Sequence, residues 1–129
     1  MKDILVPISP GELLDKITIL RIKSARIADQ AKLANVRIEL ELLEDTWHEA
    51  RGEANVAADE RALQAVNERL WDIEDRIREK EGRRAFDQEF IELARSVYIE
   101  NDRRAALKKR ISLALGSRLL EEKSYRDYR

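Results

Sequence analysis

The chain has 129 residues, of which 40% are charged and only 5% aromatic, with four Gly and two Pro. This composition is typical of a helix-rich protein with long solvated faces, and it argues against a β-sandwich, a β-barrel or a disordered chain. The sequence contains no Cys, which excludes a disulfide-stabilised secreted scaffold and fits a reducing compartment. No apolar run approaches the roughly 18 residues of a spanning helix, so we expect a soluble, cytoplasmic protein without a signal peptide or a membrane span.

The net charge is −1, but the charges are unevenly distributed along the chain. Residues 1–100 carry 16 basic and 22 acidic side chains, whereas residues 101–129 carry 9 basic and 4 acidic ones. Such asymmetry can mark a surface for an anion, a membrane or nucleic acid. The interpretation that we favour is that the basic end neutralises the acidic body, within one chain or across a dimer, because no nucleic-acid-binding motif is present.

The first predicted element is an extended apolar lead-in over residues 1–8, which runs into a helix start. Ser9, Pro10 and Glu12 match a capping box, with Ser at the N-cap, Pro at the first helical position and Glu at the third. A phosphate site needs free amides at a helix N-terminus. Here Pro10 has no N–H, Ser9 competes for another amide and Glu12 adds a negative charge, so we predict no phosphate site.

Two helices are predicted in the first half of the chain from apolar residues at three- and four-residue spacing. The first covers about residues 10 to 28, and the second about residues 30 to 51, with Asp29 as its N-cap and Gly52 as its stop. Both carry apolar residues outside the main stripe: Ile19, Ile22, Ile38 and Leu42. A helix that is apolar on two sides is central or serves a partner, and this surplus predicts a homodimer.

Two longer helices are predicted in the second half, over about residues 59 to 81 and 88 to 115. Stripes at heptad spacing joined by short connections specify antiparallel helices packed at about 20°. We therefore predict an all-α fold, an antiparallel bundle of about four main helices in a single domain over residues 1–129. The tail, residues 117–129, keeps enough apolar side chains to dock, at a place that the sequence does not indicate.

Polar residues interrupt the inward face of the fourth helix. An apolar arc that begins with Phe90 and Val97 continues to Asn101, Arg104 and Lys108. Either the helix bends or restarts near Asn101, or these polar side chains point inward. Buried charges must be paired or must bind something charged.

The third helix has a matching polar flank, which ends with Glu81. If the third and fourth helices pack antiparallel, Glu74 or Glu81 is expected to meet Arg104 or Lys108. One interpretation is a structural ion-pair layer that sets the helix register. The other is a cleft for an anionic ligand, in which Arg side chains clamp the anion and Glu74 serves as an acid or base. The candidate ligand-binding residues are Asn67, Trp71, Glu74, Arg78, Asn101, Arg104 and Lys108.

The remaining aromatic, His and basic residues do not indicate a catalytic, metal or nucleic-acid site. Trp47 and Trp71 are interpreted as core or core-edge residues. His48 is the only His; a di-iron site needs two His-bearing helices, and nothing identifies a nucleophile for a Ser-His-Asp triad. We therefore predict no metal and no cofactor, and an exposed His48. The basic cluster over residues 103–110 lacks interleaved aromatics, so it is interpreted as a solvated face and nucleic-acid binding is disfavoured.

Five segments together resemble a small, uncharacterised, all-helical bacterial family of unknown function. They are PISPGELLDKITILRIK, NERLWDIEDRI, FDQEF, ENDRRAALKKRI and GSRLLEEKSY. The similarity covers almost the whole chain and implies a bacterial source, but it implies no catalytic residues. A weaker similarity, in architecture alone, is to the all-helical chorismate mutases, which are helical dimers that bind a dicarboxylate.

These features predict a non-enzymatic helical interaction or accessory module that acts as a homodimer or with another protein. The alternative is a small-molecule enzyme or binding protein for an anionic metabolite, using the polar cleft between the third and fourth helices. The enzyme alternative is the less favoured because no complete catalytic constellation is present, and the sequence assigns no catalytic residue.

Overall fold

A computed structural model describes all residues, 1–129, and contains four helices and no strand. The helices are α1 (Pro10–Arg26), α2 (Gln30–Arg51), α3 (Ala57–Gly82) and α4 (Gln88–Ala114). The prediction of an all-α fold with four main helices is therefore confirmed. The predicted ends agree with the observed ones to within two residues.

The first helix lies at the centre of the bundle. α1 contacts each of the other three helices, α3 and α4 contact each other, and α2 contacts only α1. This arrangement follows from the two apolar sides of α1: Leu13, Ile17 and Leu20 are buried on one side, and Ile22 is buried on the other. Because nothing else in the chain packs on α2, that helix stands at the edge of the bundle.

Side-chain caps define the helix ends. The hydroxyl of Ser9 accepts a hydrogen bond from the Glu12 amide, and the carboxylates of Asp29 and Asp87 accept from the first amides of α2 and α4. After α2 the chain turns at Gly52, whose φ is +53°, a region that favours Gly. The predicted caps are thus confirmed, but the Glu12 carboxylate binds a Lys on α4 instead of returning to Ser9.

The hydrophobic core joins all four helices and the connection between α2 and α3. Its buried side chains are Leu13, Leu14, Ile17, Trp47, Val56, Leu63 and Ile111. Trp47 is buried and Trp71 half-buried, as predicted, and His48 is exposed. One apolar residue from the predicted stripe of each helix shows the same burial. Leu20 is buried, and Leu40, Leu70 and Val97 are half-buried.

The fourth helix is continuous over 27 residues. The helix therefore does not restart near Asn101, and its polar side chains do point inward: Lys108 is buried and Arg104 is partly buried against α1. The second of the two alternatives is therefore the observed one, and inward-pointing charges are a feature of this bundle.

Both ends of the chain lie outside the helices. Residues 1–8 form neither helix nor strand and are exposed. The tail lies along α4, where Glu121 reaches Lys108, Lys123 donates to the Asn101 carbonyl, and the Tyr128 ring packs edge-on against Tyr98. None of the four helices is both long enough and apolar enough to cross a membrane.

Candidate functional site

A buried carboxylate marks the place where α1, α3 and α4 meet. Asp15, on the second turn of α1, is almost fully buried. Arg104 of α4 donates to both of its oxygens, from Nε to Oδ1 at 2.8 Å and from Nη2 to Oδ2 at 2.5 Å. Such a two-bond geometry is the strongest that Arg and a carboxylate adopt, so it fixes the guanidinium against α1.

Asn67 of α3 completes the network from the third helix. Its amide nitrogen donates to Asp15 Oδ1 at 3.0 Å and to Thr18 Oγ1 at 2.9 Å, while the Thr18 hydroxyl donates to the Asp15 carbonyl at 2.8 Å. Because a carboxylate can only accept, the nitrogen of the Asn67 amide must face Asp15. The three helices are thus joined by polar side chains at one level of the bundle.

These contacts shift the pKa values of the charged groups. Burial raises the pKa of Asp15, but hydrogen bonds from Arg104 and Asn67, with the nearby positive charges, outweigh burial and hold it below its ordinary range. The hydrogen bond to Asp15 raises the pKa of Arg104. A carboxylate with a lowered pKa that already accepts three hydrogen bonds is a poor general base, so Asp15 is a positioning group.

One turn further along α4, a second charge is buried against α1. The Lys108 ammonium lies 2.7 Å from a Glu12 oxygen and 3.2 Å from a Glu121 oxygen. Burial lowers the pKa of Lys108, but the contacts with Glu12 and Glu121 and the charge of Asp15 outweigh it and raise the pKa. Lys108 is therefore charged, and it ties the tail to the two helices.

The backbones of α1 and α4 are in close contact at Gly11. A Cβ atom at this position would overlap the Lys108 carbonyl oxygen and lie 2.7 Å from its carbon. The Gly11 amide donates to the buried Ser112 hydroxyl at 3.0 Å. With the Glu12 amide bound to Ser9, the first turn of α1 offers no free amide at these positions to a phosphate.

An open cavity of about 410 Å³ lies beside the network, between α1, α3 and α4. It is lined by Ile19, Asn67, Leu70, Trp71, Glu74, Asp75, Arg78 and Arg104. Its volume lies in the range of small-molecule sites. Five of the seven candidate residues border this cavity. The other two, Asn101 and Lys108, border a smaller one of about 120 Å³ beneath the tail, with Arg104 shared between them.

The predicted ion pairs across α3 and α4 are wrong. Glu74 pairs with Arg78 on its own helix at 3.2 Å, and Glu81 forms no ion pair. Arg104 and Lys108 pair instead with carboxylates of α1 and the tail. The charged layer therefore ties α4 to α1, whereas the sequence had suggested that it tied α4 to α3.

The register of α3 and α4 explains this difference. Ion pairs Arg69–Glu100, at 3.1 Å, and Asp59–Arg110, at 3.2 Å, fix the antiparallel alignment. In this alignment Glu74 lies opposite the part of α4 near residue 95, more than two helical turns before Arg104. Sequence periodicity gives the faces of two helices but not their relative sliding along the axis.

Asp15 was not among the predicted site residues, although the sequence contains a pattern that indicates its burial. The second apolar side of α1, marked by Ile19 and Ile22, continues back to Thr18 and Asp15 at three- and four-residue spacing. A carboxylate on an apolar face requires a cation partner. The inward-pointing Arg104, already identified on α4, was that partner.

The basic cluster of α4 is only partly a solvated face. All five of its cations have carboxylate partners within the chain: Glu100 for Arg103, Asp15 for Arg104, Glu12 and Glu121 for Lys108, Glu122 for Lys109, and Asp59 for Arg110. The prediction of a solvated face is confirmed for the exposed side chains of Arg103, Lys109 and Arg110, and it is wrong for Arg104 and Lys108, which are withdrawn from water against α1. The basic end neutralises part of the acidic body within one chain.

The fold and the site define an all-α four-helix bundle with a buried ion-pair network and no group of His, Asp and Glu side chains arranged to ligate a metal. The chain belongs to the family described as a family of unknown function (DUF6165), whose family model matches residues 4–128. The sequence resemblance to a family of unknown function over nearly the whole chain is thereby confirmed. No curated protein and no solved structure matches the chain.

Proposed function

We propose that the protein is a non-enzymatic helical interaction module that acts as a homodimer through the outer side of α2. The observation that carries this proposal is the accessible surface. The chain exposes 9247 Å², whereas a compact monomer of 15.1 kDa exposes about 7,100 Å². The excess of roughly 2,000 Å² exceeds the area of about 800 Å² that a standard interface removes from one partner.

The outer side of α2 is the part of the bundle that a partner is best placed to cover. Ile38 and Leu42, one turn apart, are 70% and 54% exposed. α2 touches only α1, so nothing else in the chain covers this side. Adjacent exposed apolar side chains on the outer side of a helix favour an interface. Two copies that present the same side to each other form a closed, two-fold contact.

Sedimentation equilibrium of the full chain at about 1 to 100 μM tests the proposal. We expect a dimer whose dissociation constant rises when Leu42→Asp places a charge in the contact. Ile91→Asp, the same change at an exposed apolar residue of α4, is the matched control and leaves the dimer intact. A strictly monomeric wild type over this range overturns the proposal.

The proposal also covers the cellular location and the domain organisation of the protein. We place it in the bacterial cytoplasm, on the support of the family resemblance and of a sequence without Cys, and we treat residues 1–129 as a single domain. Another protein is the alternative partner for the α2 surface. Dimerisation and partner binding need no catalytic residue, and we assign none.

A second candidate function is the binding of an anionic small molecule in the cavity of about 410 Å³. It is favoured by one observation: five residues selected from the sequence as ligand-binding candidates border the same cavity. Asp15 occupies two N–H groups of Arg104 and Asn101 a third, weakly, at 3.4 Å. An Arg has five N–H groups, so a pre-oriented Arg104 keeps donors for a ligand, and the exposed Arg78 supplies more.

A thermal-shift screen with phosphates, sugar nucleotides and dicarboxylates tests this candidate. A ligand in excess over its dissociation constant raises the melting temperature. Arg78→Ala is expected to remove the shift without unfolding the protein, because Arg78 is exposed. Arg95→Ala, at an exposed Arg of α4 that does not line the cavity, is the control. A flat response across the panel, or a hit that Arg78→Ala leaves unchanged, contradicts binding in this cavity.

A further inference from the structure

An apolar, extended segment precedes α1 and touches little of the bundle. We call residues 4–8 the arm. Ile4, Leu5 and Val6 are 78%, 91% and 69% exposed. Outside the helices, no backbone hydrogen bond involves residues 1–8. The apolar side chains of Ile4, Leu5 and Val6 are therefore left uncovered by the bundle, and the backbone groups of the arm are unpaired within the chain.

Both sides of the arm are apolar. In an extended chain, alternate side chains point to opposite sides, so Ile4, Val6 and Ile8 share one side and Leu5 lies on the other. Burying one such side chain is worth about 1.5 to 3 kcal/mol. A segment of this kind is stabilised when it lies in a groove that covers both of its sides.

The same chain has a second uncovered apolar surface, the Ile38 and Leu42 side of α2. The arm does not cover it, because both residues stay exposed in the chain that carries the arm. One interaction between two copies, repeated by two-fold symmetry, covers both arms and both helix surfaces. A different partner would have to supply two unrelated complementary surfaces, so a second copy of this chain is the simplest occupant.

The lengths are compatible with such an exchange. The five residues of the arm span about 16 Å when extended, while Ile38 and Leu42 lie about 6 Å apart along the axis of α2. Two facing α2 helices form a groove along their contact, and an arm that lies in this groove is long enough to cover both apolar side chains.

We propose that the two protomers exchange arms, so that residues 4–8 of one copy pack against the Ile38 and Leu42 side of α2 in the other. This inference rests on the proposed homodimer and specifies what covers its interface. Arm exchange places Val6 of one protomer near Ile38 of its partner and leaves the four-helix bundle of each protomer unchanged.

Because the chain contains no Cys, single introduced thiols test the exchange directly. A tagged Val6→Cys chain is mixed with an untagged Ile38→Cys chain, oxidised mildly and separated by non-reducing electrophoresis. We expect a mixed disulfide far above that formed when Arg95→Cys, an exposed residue of α4, replaces Ile38→Cys. Yields equal to that control overturn the inference. So does a Val6→Cys/Ile38→Cys chain that closes its disulfide within one monomer.

A second measurement shows whether the arm holds the dimer together. The triple change Ile4→Ser, Leu5→Ser, Val6→Ser is expected to weaken dimerisation at least tenfold in sedimentation equilibrium, and to leave the helical circular-dichroism signal unchanged because these side chains are exposed. A dissociation constant within twofold of wild type overturns the inference. If the wild type is a dimer that Leu42→Asp breaks while both arm tests fail, the proposed function stands and only arm exchange is lost.

Discussion

The Asp15 carboxylate on α1 and the Arg104 guanidinium on α4 form a two-bond ion pair that joins the first and last helices of the bundle. Asp15 is almost fully buried, while the Arg104 side chain is 30% exposed. The two partners are therefore unequal: the loss of Arg104 leaves a buried charge without a partner, whereas the loss of Asp15 leaves a cation that water reaches.

Arg104→Met is expected to destabilise the protein by about 3 kcal/mol, the lower end of the cost of breaking a buried pair, because Arg104 is partly hydrated. Replacing both partners, in Arg104→Met/Asp15→Leu, is expected to recover most of this loss, since no buried charge remains. Urea unfolding of the wild type, Arg104→Met, Asp15→Leu and the double variant measures the coupling. Arg95→Met, at an exposed residue of α4 with no ion pair, is the control, and a double variant as unstable as Arg104→Met contradicts the argument.

The stabilisation by Asp15 depends on pH in a defined direction. Its pKa in the folded protein lies below its ordinary value of 3.8. Its contribution is therefore complete above that value and is lost as the pH falls through the lower, folded pKa. The stability difference between wild type and Asp15→Asn is expected to be constant from about pH 7 to 5 and to shrink below about pH 4.

Urea unfolding of both proteins at each pH measures this difference. The other carboxylates with lowered pKa values, Asp87 and Glu89, are present in both proteins and cancel. A difference that stays constant from neutral pH to about pH 2 means that Asp15 is not the ionised partner of Arg104.

The close contact between α1 and α4 predicts that replacement of Gly11 destabilises the protein. Ala is favoured over Gly within a helix by up to about 1 kcal/mol, yet Gly11→Ala is expected to destabilise by about 2 kcal/mol or more, because its methyl group meets backbone atoms of Lys108 that no rotamer change can move. Gly82→Ala is the matched control: it lies in the last turn of α3 with nothing within 4 Å of the added carbon. Thermal melting compares the two, and equal effects contradict a close crossing.

The caps and the core could be predicted from the sequence because they depend on neighbours a few residues apart. Ser9, Asp29 and Asp87 bind amides two or three residues ahead, and the Gly residues at helix ends act through their own backbone angles. The apolar stripes depend only on helical periodicity. Each of these signals survives in a single sequence, and each was found in the structure.

The ion-pair partners could not be predicted in the same way, because they depend on how far one helix slides along another. The polar arc on α4 was identified correctly, but the alignment of α3 and α4 places Glu74 more than two helical turns from Arg104, and Glu74 pairs with Arg78 four residues later on its own helix. The requirement for Gly11 was equally hidden: the sequence shows a turn residue, whereas the structure shows a backbone contact with a residue 97 positions later. The alignment of one helix along another depends on the packing of the whole bundle, so no short segment of the sequence determines it.

The docking of the tail supplies a last prediction, because only one of the α4 cations that bind it is buried. Lys108 is buried between Glu12 and Glu121, whereas the neighbouring pair, Lys109 with Glu122, lies in water. Exposed pairs contribute little to stability, so Lys108→Met is expected to release the tail and Lys109→Met is not. Limited trypsin digestion with mass spectrometry should then show faster cleavage after Lys123 in Lys108→Met alone. Equal acceleration in both variants, or in neither, would mean that the exposed contacts hold the tail and that the buried ammonium does not.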